Sequence, residues 1–234
     1  MSTFMAEFFG TLILVWLGDG VVASVSLNKS KGKDGGWIVV TLAWGLAVAI
    51  PAYIFGGISG AHINPAVTIA NAVIGNFNWA DVPGYVGAQM LGGLVGATLV
   101  WLTYLPHFKA TEDKETKRGV FCTIPAIRDF KANFLTEFLA TGLLVFGLLG
   151  LGQVKMAAGL NFLIVGLLIV VIGLALGGPT GYAINPARDL GPRIAHAILP
   201  ISGKGDSDWS YSWIPVVGPI LGGIAGALLF TLVF

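Results

Sequence analysis

Two asparagines with matching surroundings are the residues of this sequence best suited to bind a solute. Asn64 and Asn185 each stand directly before Pro-Ala, inside stretches 56–66 and 177–187, which match each other at a spacing of 121 residues. Asn is a favoured N-cap and Pro fits the first helical position, so each copy predicts a helix start. The Asn oxygen is then held by its own helix, and the amide NH₂ points outward as a donor at the positive helix end. Two such sites would present donors to a solute that carries oxygen.

The composition places these two sites in an integral membrane protein. The 234 residues are 55% hydrophobic and only 11% charged, and the mean hydropathy is +0.82. An ordinary soluble domain is less apolar and carries more charge. The net charge of +1 gives no basic surface for nucleic acid, and the single Cys122 excludes an intramolecular disulfide. The N-terminal segment has no basic region before its apolar stretch, so we expect no cleaved signal peptide.

Six apolar stretches are long enough to cross a hydrocarbon core of about 30 Å, which takes about 20 helical residues. The predicted spans are residues 4–27, 37–57, 82–105, 133–153, 158–177 and 213–234. The segments 58–80 and 178–200 lie between spans, and each holds one Asn-Pro-Ala followed by about ten apolar residues, which end at Gly75 in the first segment and at about Ile198 in the second. Ten residues rise about 15 Å, half of a membrane, so each segment predicts a re-entrant half-helix.

The chain is an internal repeat of two halves. Two further pairs of segments match at a spacing of 130 residues: 6–11 with 136–141, and 91–97 with 221–227. The halves 1–125 and 126–234 each hold three spans, an odd number, so the second must be inverted in the membrane. The predicted fold is an all-α membrane protein with six transmembrane helices and two re-entrant half-helices, forming one domain with Asn64 and Asn185 side by side near the midplane.

Repeated glycines predict which helices pack closely. Gly92 and Gly96 lie four residues apart, as do Gly218, Gly222 and Gly226 in the matching part of the second half. Small residues at this spacing let membrane helices approach closely.

The twin motif and the repeat resemble those of the aquaporin superfamily, the major intrinsic protein family, and specifically its bacterial glycerol-facilitator (aquaglyceroporin) branch. The resemblance covers nearly the whole chain. It implies a passive channel that lets glycerol, similar small uncharged polar solutes and water pass while excluding ions and protons. It also implies a homotetramer in the lipid bilayer of the plasma membrane, with both termini cytoplasmic and no cofactor, metal or nucleic-acid partner.

By position, the resemblance assigns the selectivity filter to Trp44, Gly173, Tyr182 and Arg188. Two rings make an apolar corner for a carbon backbone, and Arg188 offers donors to hydroxyls while repelling cations. Water-selective members place a His where this chain has Gly173, so we expect a wide pore. Asp189 is also typical of the glycerol branch. Tyr182 departs from the usual Phe, and its hydroxyl adds a polar handle that leaves the preferred solute open.

The resemblance also implies three supporting sets of residues. The carbonyls of Gly60, Ala61, His62, Gly181, Tyr182 and Ala183 would accept hydrogen bonds along one wall. Val48, Ile63 and Ile184 would form an apolar strip opposite. Glu7, Glu137 and Asp189 would give structural support, the two Glu by accepting backbone N–H groups of the re-entrant loops, whose non-helical backbone needs acceptors.

The remaining charged residues and histidines have simpler interpretations. Asp19 has no obvious partner, and we expect its carboxylate to reach water or a nearby N–H rather than the pore. His107 and His196 lack the spacing of metal ligands, so no metal site is expected. His62 is expected to bond locally and orient its loop. The connector 106–132 carries charges of both signs and is predicted to be a solvated link.

Two functional alternatives remain at this point. One is a channel tuned to another neutral solute, such as undissociated lactic acid, urea or hydrogen peroxide. The other is an active secondary transporter, since these also use inverted repeats, although ionisable pairs near the midplane are lacking beyond Arg188 and Asp189. No nucleophile or acid–base pair suggests an enzyme.

The sequence supports two opposite orientations. Loops 28–36, 106–132 and 178–212 hold all but one of the 13 Lys and Arg, with Lys155 the exception. The positive-inside rule would place these loops in the cytoplasm. The resemblance places them outside, together with Arg188 at the outer mouth, and we adopt that orientation.

Overall fold

The computed structural model describes residues 1–234 as a bundle of ten α-helices without strands. The helices are α1 Thr3–Ser26, α2 Gly36–Ser59, α3 Pro65–Val73, α4 Val82–Thr103, α5 Leu105–Ala110, α6 Lys114–Gly119, α7 Phe130–Gly152, α8 Leu160–Leu176, α9 Pro186–Ile198 and α10 Ile214–Val233. Helices α1, α2, α4, α7 and α10 are long and apolar enough to span a membrane. Helix α8 is equally apolar in character but shorter, at 17 residues.

The shorter α8 corresponds to the predicted span 158–177. Seventeen residues rise about 26 Å, which is close to the thickness of the hydrocarbon core. Its start is fixed by Gly159, which has a left-handed φ of 82° and stands beside the hydroxyl of Tyr53. A side chain at position 159 would be strained by this φ and would collide with Tyr53, so only glycine fits there. The helix begins at the next residue, Leu160.

Close helix contacts occur where the glycine pattern predicts them. A Cβ on Gly96 of α4 would lie 2.6 Å from the carbonyl oxygen of Leu12 in α1. In the second half, a Cβ on Gly226 of α10 would lie even closer to the carbonyl oxygen of Gly142 in α7. Only glycine lets these backbones touch, so α1 with α4 and α7 with α10 form the matching pairs of the two halves.

Each half-helix packs against a long helix from the other half of the chain. A Cβ on Gly93 of α4 would lie 2.5 Å from the carbonyl oxygen of Ala187 in α9. A Cβ on Gly223 of α10 would lie 3.2 Å from that of Ala66 in α3. The N-terminal ends of α3 and α9 are therefore wedged between elements of both halves, which brings the two Asn-Pro-Ala motifs together.

The long connector is more buried than a solvated link. It contains α5 and α6, and Phe108, Phe121 and Cys122 are almost fully buried. Phe108 stacks on Phe121 at 5.6 Å between ring centroids, and Phe121 lies 5.6 Å from the ring of His196 near the end of α9. The prediction of a solvated link missed these apolar side chains, which cover one end of the second half-helix.

Candidate conduction pathway

The loop before α3 has an unusual backbone that one carboxylate supports. Ala61 and Ile63 have left-handed φ values of 47° and 41°, which are strained for residues with side chains. Glu7 Oε1 accepts a hydrogen bond from the backbone N–H of His62 at 2.9 Å, and Glu7 Oε2 accepts from that of Ile63 at 2.7 Å. The Ser59 hydroxyl donates to the same carboxylate at 2.6 Å. These bonds hold the loop extended in front of its half-helix.

The loop before α9 repeats this arrangement with different residues. Tyr182 and Ile184 have φ values of 37° and 43°. Glu137 Oε1 accepts from the backbone N–H of Ala183 at 2.9 Å, and Oε2 accepts from that of Ile184 at 2.8 Å. The Thr180 hydroxyl donates to Oε1 at 2.6 Å. The structure thus places Glu7 and Glu137 behind the two loops, where they support the backbone.

With their N–H groups directed to the two carboxylates, the loops leave a set of backbone carbonyls without a protein donor. These carbonyls belong to Gly60, Ala61, His62, Gly181, Tyr182 and Ala183. The neighbouring carbonyls of Ile63 and Ile184, in contrast, accept from side chains. These carbonyls are therefore free to accept hydrogen bonds from molecules other than the protein.

The two asparagines cap their own helices and cross-link the two loops. Asn64 Oδ1 accepts from Ala66 N at 2.9 Å, and Asn185 Oδ1 accepts from Ala187 N at 3.0 Å. Asn64 Nδ2 donates to the Ile184 carbonyl and Asn185 Nδ2 to the Ile63 carbonyl, both at 2.8 Å. An amide NH₂ carries two hydrogens, so each Asn keeps one donor for a solute.

Two cavities lie along this set of groups. The larger, here called the central cavity, has a volume of about 320 Å³ and is lined by both asparagines and by the apolar side chains of Val48, Ile63 and Ile184. Its wall also includes five of the six predicted carbonyl residues: Gly60, Ala61, His62, Tyr182 and Ala183.

The second cavity, here called the vestibule, has a volume of about 300 Å³ and is lined by residues such as Trp37, Cys122 and Gly181. Only Trp44, Tyr182 and Arg188 line both cavities. These three side chains therefore form the boundary between the two cavities.

Two of the three boundary residues, Arg188 and Trp44, are stacked on each other. The Arg188 guanidinium carbon lies 3.9 Å from the Trp44 ring centroid, a cation–π geometry. Tyr182 makes an edge-to-face contact with Trp37 at 5.7 Å between ring centroids. The Trp44 Nε1 atom and the Tyr182 hydroxyl are buried and have no protein partner. The boundary thus combines aromatic surface with several free donors.

Gly173, the fourth predicted filter residue, lines neither cavity. A Cβ at Gly173 would lie 2.7 Å from Tyr182 Cζ and 2.9 Å from Thr41 Cγ2. The glycine therefore makes room for the Tyr182 ring, and that ring, rather than empty space, occupies the wall. The expectation that Gly173 belongs to the filter and leaves the pore wide stays a prediction.

Arg188 and Asp189 are neighbours in the sequence, but each forms an ion pair with a different residue. Arg188 Nη1 donates to Asp19 Oδ1 at 3.3 Å, and Asp19 is fully buried. Of the two partners expected for Asp19, water and a nearby N–H, the structure shows an N–H, which belongs to Arg188 in the first turn of α9. The expectation that Asp19 has no connection with the pore missed this contact, because Arg188 lines both cavities. Asp189 turns away from Arg188 and accepts from Arg193 and from the Thr123 backbone and hydroxyl.

Arg193 is a buried charge that the sequence analysis missed. It is fully buried and donates to Asp189 and to the carbonyls of Thr123, Ser207 and Asp208. It thereby ties α9 to both the long connector and the segment after α9. The spacing of Asp189 and Arg193, four residues apart on a helix, was the signal that could have revealed the pair.

His62, predicted to orient its loop, makes local contacts. Its Nδ1 atom lies 3.1 Å from the Thr68 hydroxyl, and its ring packs against those of Phe77 and Tyr85 at 4.9 and 5.3 Å.

Similarity to known proteins identifies the family. A family model described as "Major intrinsic protein" matches residues 1–230. The chain belongs to the major intrinsic protein family. It is 63% identical to a "Probable glycerol uptake facilitator protein" of Thermotoga maritima over 234 residues, which cover all of both chains. It is 56% identical to the "Glycerol uptake facilitator protein" of Bacillus subtilis, covering all of this chain and 85% of that relative.

A solved structure shows the same fold. The aquaglyceroporin from Plasmodium falciparum superposes with a TM-score of 0.87 at 32% identity, covering 97% of this chain and 93% of that one. The predicted family and the predicted all-α, aquaporin-like fold are thereby confirmed. Members of this family are passive channels, so the protein is a membrane channel and not an enzyme.

Proposed function

We propose that this protein conducts glycerol and similar small uncharged polar solutes, together with water, passively down their gradients. The observation that carries the proposal is the boundary between the two cavities, where Trp44, Tyr182 and Arg188 are the only shared residues. The printed names of the relatives, which are glycerol uptake facilitators, agree with it.

The chemistry of the boundary suits a molecule with hydroxyls on one edge and carbon on the other. The two rings offer apolar surface to the carbon backbone, and the guanidinium of Arg188 offers N–H donors to hydroxyl oxygens. Farther along, the second amide hydrogens of Asn64 and Asn185 are further donors, and the unpaired loop carbonyls provide acceptors. A polyol can therefore exchange its water shell for protein groups at each step.

The same arrangement disfavours ions. The N-terminal ends of α3 and α9 meet at the two asparagines, so two positive dipole ends face the central cavity and repel cations. With Arg188 beside them, protons also meet an electrostatic barrier.

The Tyr182 hydroxyl supports a second candidate, a preference for a more polar neutral solute such as undissociated lactic acid, urea or hydrogen peroxide. This hydroxyl is buried at the boundary without a protein partner, so it can bond to a solute. The two candidates share one site and differ only in which solute passes fastest.

We further propose the setting that goes with this function: a homotetramer in the plasma membrane, built from the halves 1–125 and 126–234, with both termini cytoplasmic. Lys114 at the start of α6 is then accessible from outside. In a Cys122→Ser background, a Lys114→Cys variant should react with an impermeant thiol reagent on intact cells. Reaction only after lysis would reverse the orientation and leave the channel assignment unaffected.

The main experiment measures permeability in proteoliposomes by stopped-flow light scattering. The panel contains water, glycerol, urea, hydrogen peroxide, lactic acid at several pH values, and a hexose. We expect glycerol flux well above that of empty liposomes, linear in the gradient and insensitive to protonophores. Saturable flux that collapses with a protonophore would indicate an active transporter instead, and lactic acid or urea passing faster than glycerol would favour the second candidate.

Asn185→Asp is the matched inactivating variant for this panel. It places a charged acceptor where the central cavity has a capped donor, and it should abolish most glycerol flux. Asn76→Asp makes the same chemical change at an exposed residue of the loop after α3 and should conduct like the wild type.

A further inference from the structure

The Arg188 guanidinium is held by a residue that lines neither cavity. Asp19 lies in α1, is fully buried, and accepts from Arg188 Nη1 at 3.3 Å. This is the only hydrogen bond that the guanidinium makes to the protein, although it carries five N–H donors. The remaining donors have no protein acceptor, and Asp19 and the stacked ring of Trp44 hold the side chain in place.

Gly18, the residue before Asp19, supports Trp44, on which the Arg188 guanidinium is stacked. A Cβ on Gly18 would overlap the six-membered ring of Trp44, so the indole lies directly on the backbone of α1. Gly18 therefore positions the indole, and Asp19 positions the guanidinium stacked on it. One turn of α1 thus sets the geometry of the boundary between the cavities.

Asp19 is also the only anionic partner of Arg188. Asp189, its neighbour in the sequence, has both carboxylate oxygens bonded to Arg193, and one also to Thr123. The other oxygen of Asp19, Oδ2, has no protein partner. Each member of the pair therefore depends on the other for its charge compensation, and removal of one leaves an uncompensated buried charge.

This charge has a consequence for selectivity. The boundary stands near two positive helix ends, and an unpaired guanidinium there would attract small anions. The pair of Arg188 and Asp19 is neutral as a whole, so it attracts anions less than an unpaired guanidinium would, while Arg188 still exposes polarised N–H groups. Neutral hydroxyl compounds can then bind without competition from anions.

We propose that Asp19 is a positioning and charge-balancing residue of the filter. It orients the Arg188 donors toward neutral solutes and prevents the boundary from acting as an anion site. The inference rests on the proposed function, because it assigns to Asp19 a part in selecting neutral solutes.

The test compares Asp19→Asn with the wild type in proteoliposomes, using glycerol, water and nitrate. Asparagine keeps the size of the side chain and removes its charge. We expect glycerol permeability to fall roughly threefold to tenfold, the range of a weakened charge-assisted hydrogen bond, and water permeability to fall less. We expect a nitrate leak that the wild type does not show. Asp34→Asn, the same change at an exposed residue of the loop before α2, should match the wild type in all three.

A double-mutant cycle shows whether the effect acts through Arg188. In an Arg188→Val background, Asp19→Asn should produce no nitrate leak and no further change in the ratio of glycerol to water flux. Proportional loss of both fluxes without a nitrate leak would mean that Asp19 only stabilises the fold, and the proposal would be overturned. A nitrate leak that persists without Arg188 would overturn it as well.

Failure of the proposed function would look different. If wild-type liposomes pass no more glycerol than empty ones, the proposed solute is wrong, and the nitrate and water measurements still decide the role of Asp19. The thermal unfolding midpoints of the four proteins in the cycle give an independent answer. If the midpoint changes of the two single variants add up to that of the double variant, the pairing is refuted. A strongly non-additive change in the double variant supports it.

Discussion

Replacing either supporting glutamate by glutamine should destabilise the channel, and the effect in the first half should be at least as large as in the second. Glu137 accepts three hydrogen bonds, from the Thr180 hydroxyl and from the backbone N–H groups of Ala183 and Ile184. A glutamine has one acceptor oxygen, which can keep the two donors bonded to Oε1. Its NH₂ would then face the N–H of Ile184, and two donors would meet in a buried site.

The cost at Glu137 can be worked out from these contacts. One buried N–H loses its partner and two remaining bonds lose their charge assistance, which together cost about 2–4 kcal/mol. For a chain of this size, the loss corresponds to a fall of roughly 5–15 °C in the unfolding midpoint. Ile184 would also lose the bond that holds its left-handed backbone, so the adjacent carbonyls should shift and glycerol flux should fall.

Glu7 has a neighbour that Glu137 lacks. Gln89 Nε2 donates to Glu7 Oε2 at 2.8 Å, while Gln89 Oε1 is buried without a partner. In Glu7→Gln, rotation of the Gln89 amide by half a turn brings that oxygen to the new NH₂, but it breaks the hydrogen bond that Gln89 Nε2 donates to Thr68 Oγ1 at 3.0 Å. At the spacing of 130 residues, the second half has Pro219 in place of Gln89, so no such rotation is available. The Ile63 N–H also donates to Glu7 Oε2, and it would lose its partner in Glu7→Gln as the Ile184 N–H does in Glu137→Gln. We therefore expect a cost at Glu7 at least as large as at Glu137, about 2–4 kcal/mol.

The assay is thermal unfolding in detergent combined with glycerol flux in liposomes, for both variants and for Glu112→Gln as an exposed control. Both variants should unfold at a lower temperature than the wild type and lose glycerol flux, Glu7→Gln at least as much as Glu137→Gln, and the control should equal the wild type. A clearly smaller loss at Glu7 than at Glu137 would refute this reasoning.

Three other contacts give further predictions. Gly173→Ala should reduce glycerol and water flux together, because the added Cβ displaces the Tyr182 ring; a selective loss of glycerol flux alone would show that position 173 lines the pore. Tyr182→Phe should keep glycerol flux within about twofold and reduce passage of more polar solutes, and an unchanged panel would mean that the hydroxyl contacts no solute. At the surface, burial raises the pKa of Asp208, but hydrogen bonds from Arg128 and Ser210 outweigh it, so the pKa lies below its ordinary value. Because a depressed carboxyl pKa contributes stability that is lost as pH falls below about 4, the wild type should lose about 0.5–1 kcal/mol more than Asp208→Asn between pH 5 and pH 3. Parallel unfolding curves for the two proteins would contradict this assignment.

Much of the fold could be predicted from the sequence, because the signals were local or repeated. Asn before Pro fixed the starts of α3 and α9, and the odd number of spans in each half required inversion. Glycine spacing indicated the close pairs of helices. The end of α9 at Ile198 agrees with the prediction, and α3 ends at Val73, two residues before the predicted Gly75.

What could not be predicted depends on contacts between distant segments. Asp19 and Arg188 are 169 positions apart, and no periodicity connects them. The sequence order suggested Asp189 as the partner of Arg188, but one helical residue step rotates the side chain by about 100° and points it toward Arg193. The position of Gly173 behind Tyr182 is likewise a matter of three-dimensional packing.

The crossed asparagine bonds have a consequence for how the protein is made. Asn64 is synthesised in the first half, but the carbonyl that accepts from its Nδ2 belongs to Ile184, and α3 packs against α10 near the end of the chain. The first three spans are therefore inserted into the membrane long before Asn64, at the start of α3, can form its hydrogen bond to Ile184. Until translation is nearly complete, the first half must remain an unfinished intermediate in the bilayer, so the last helix to emerge closes the structure. Two separately expressed halves should accordingly be short-lived alone and stabilise each other when they are produced in the same cell.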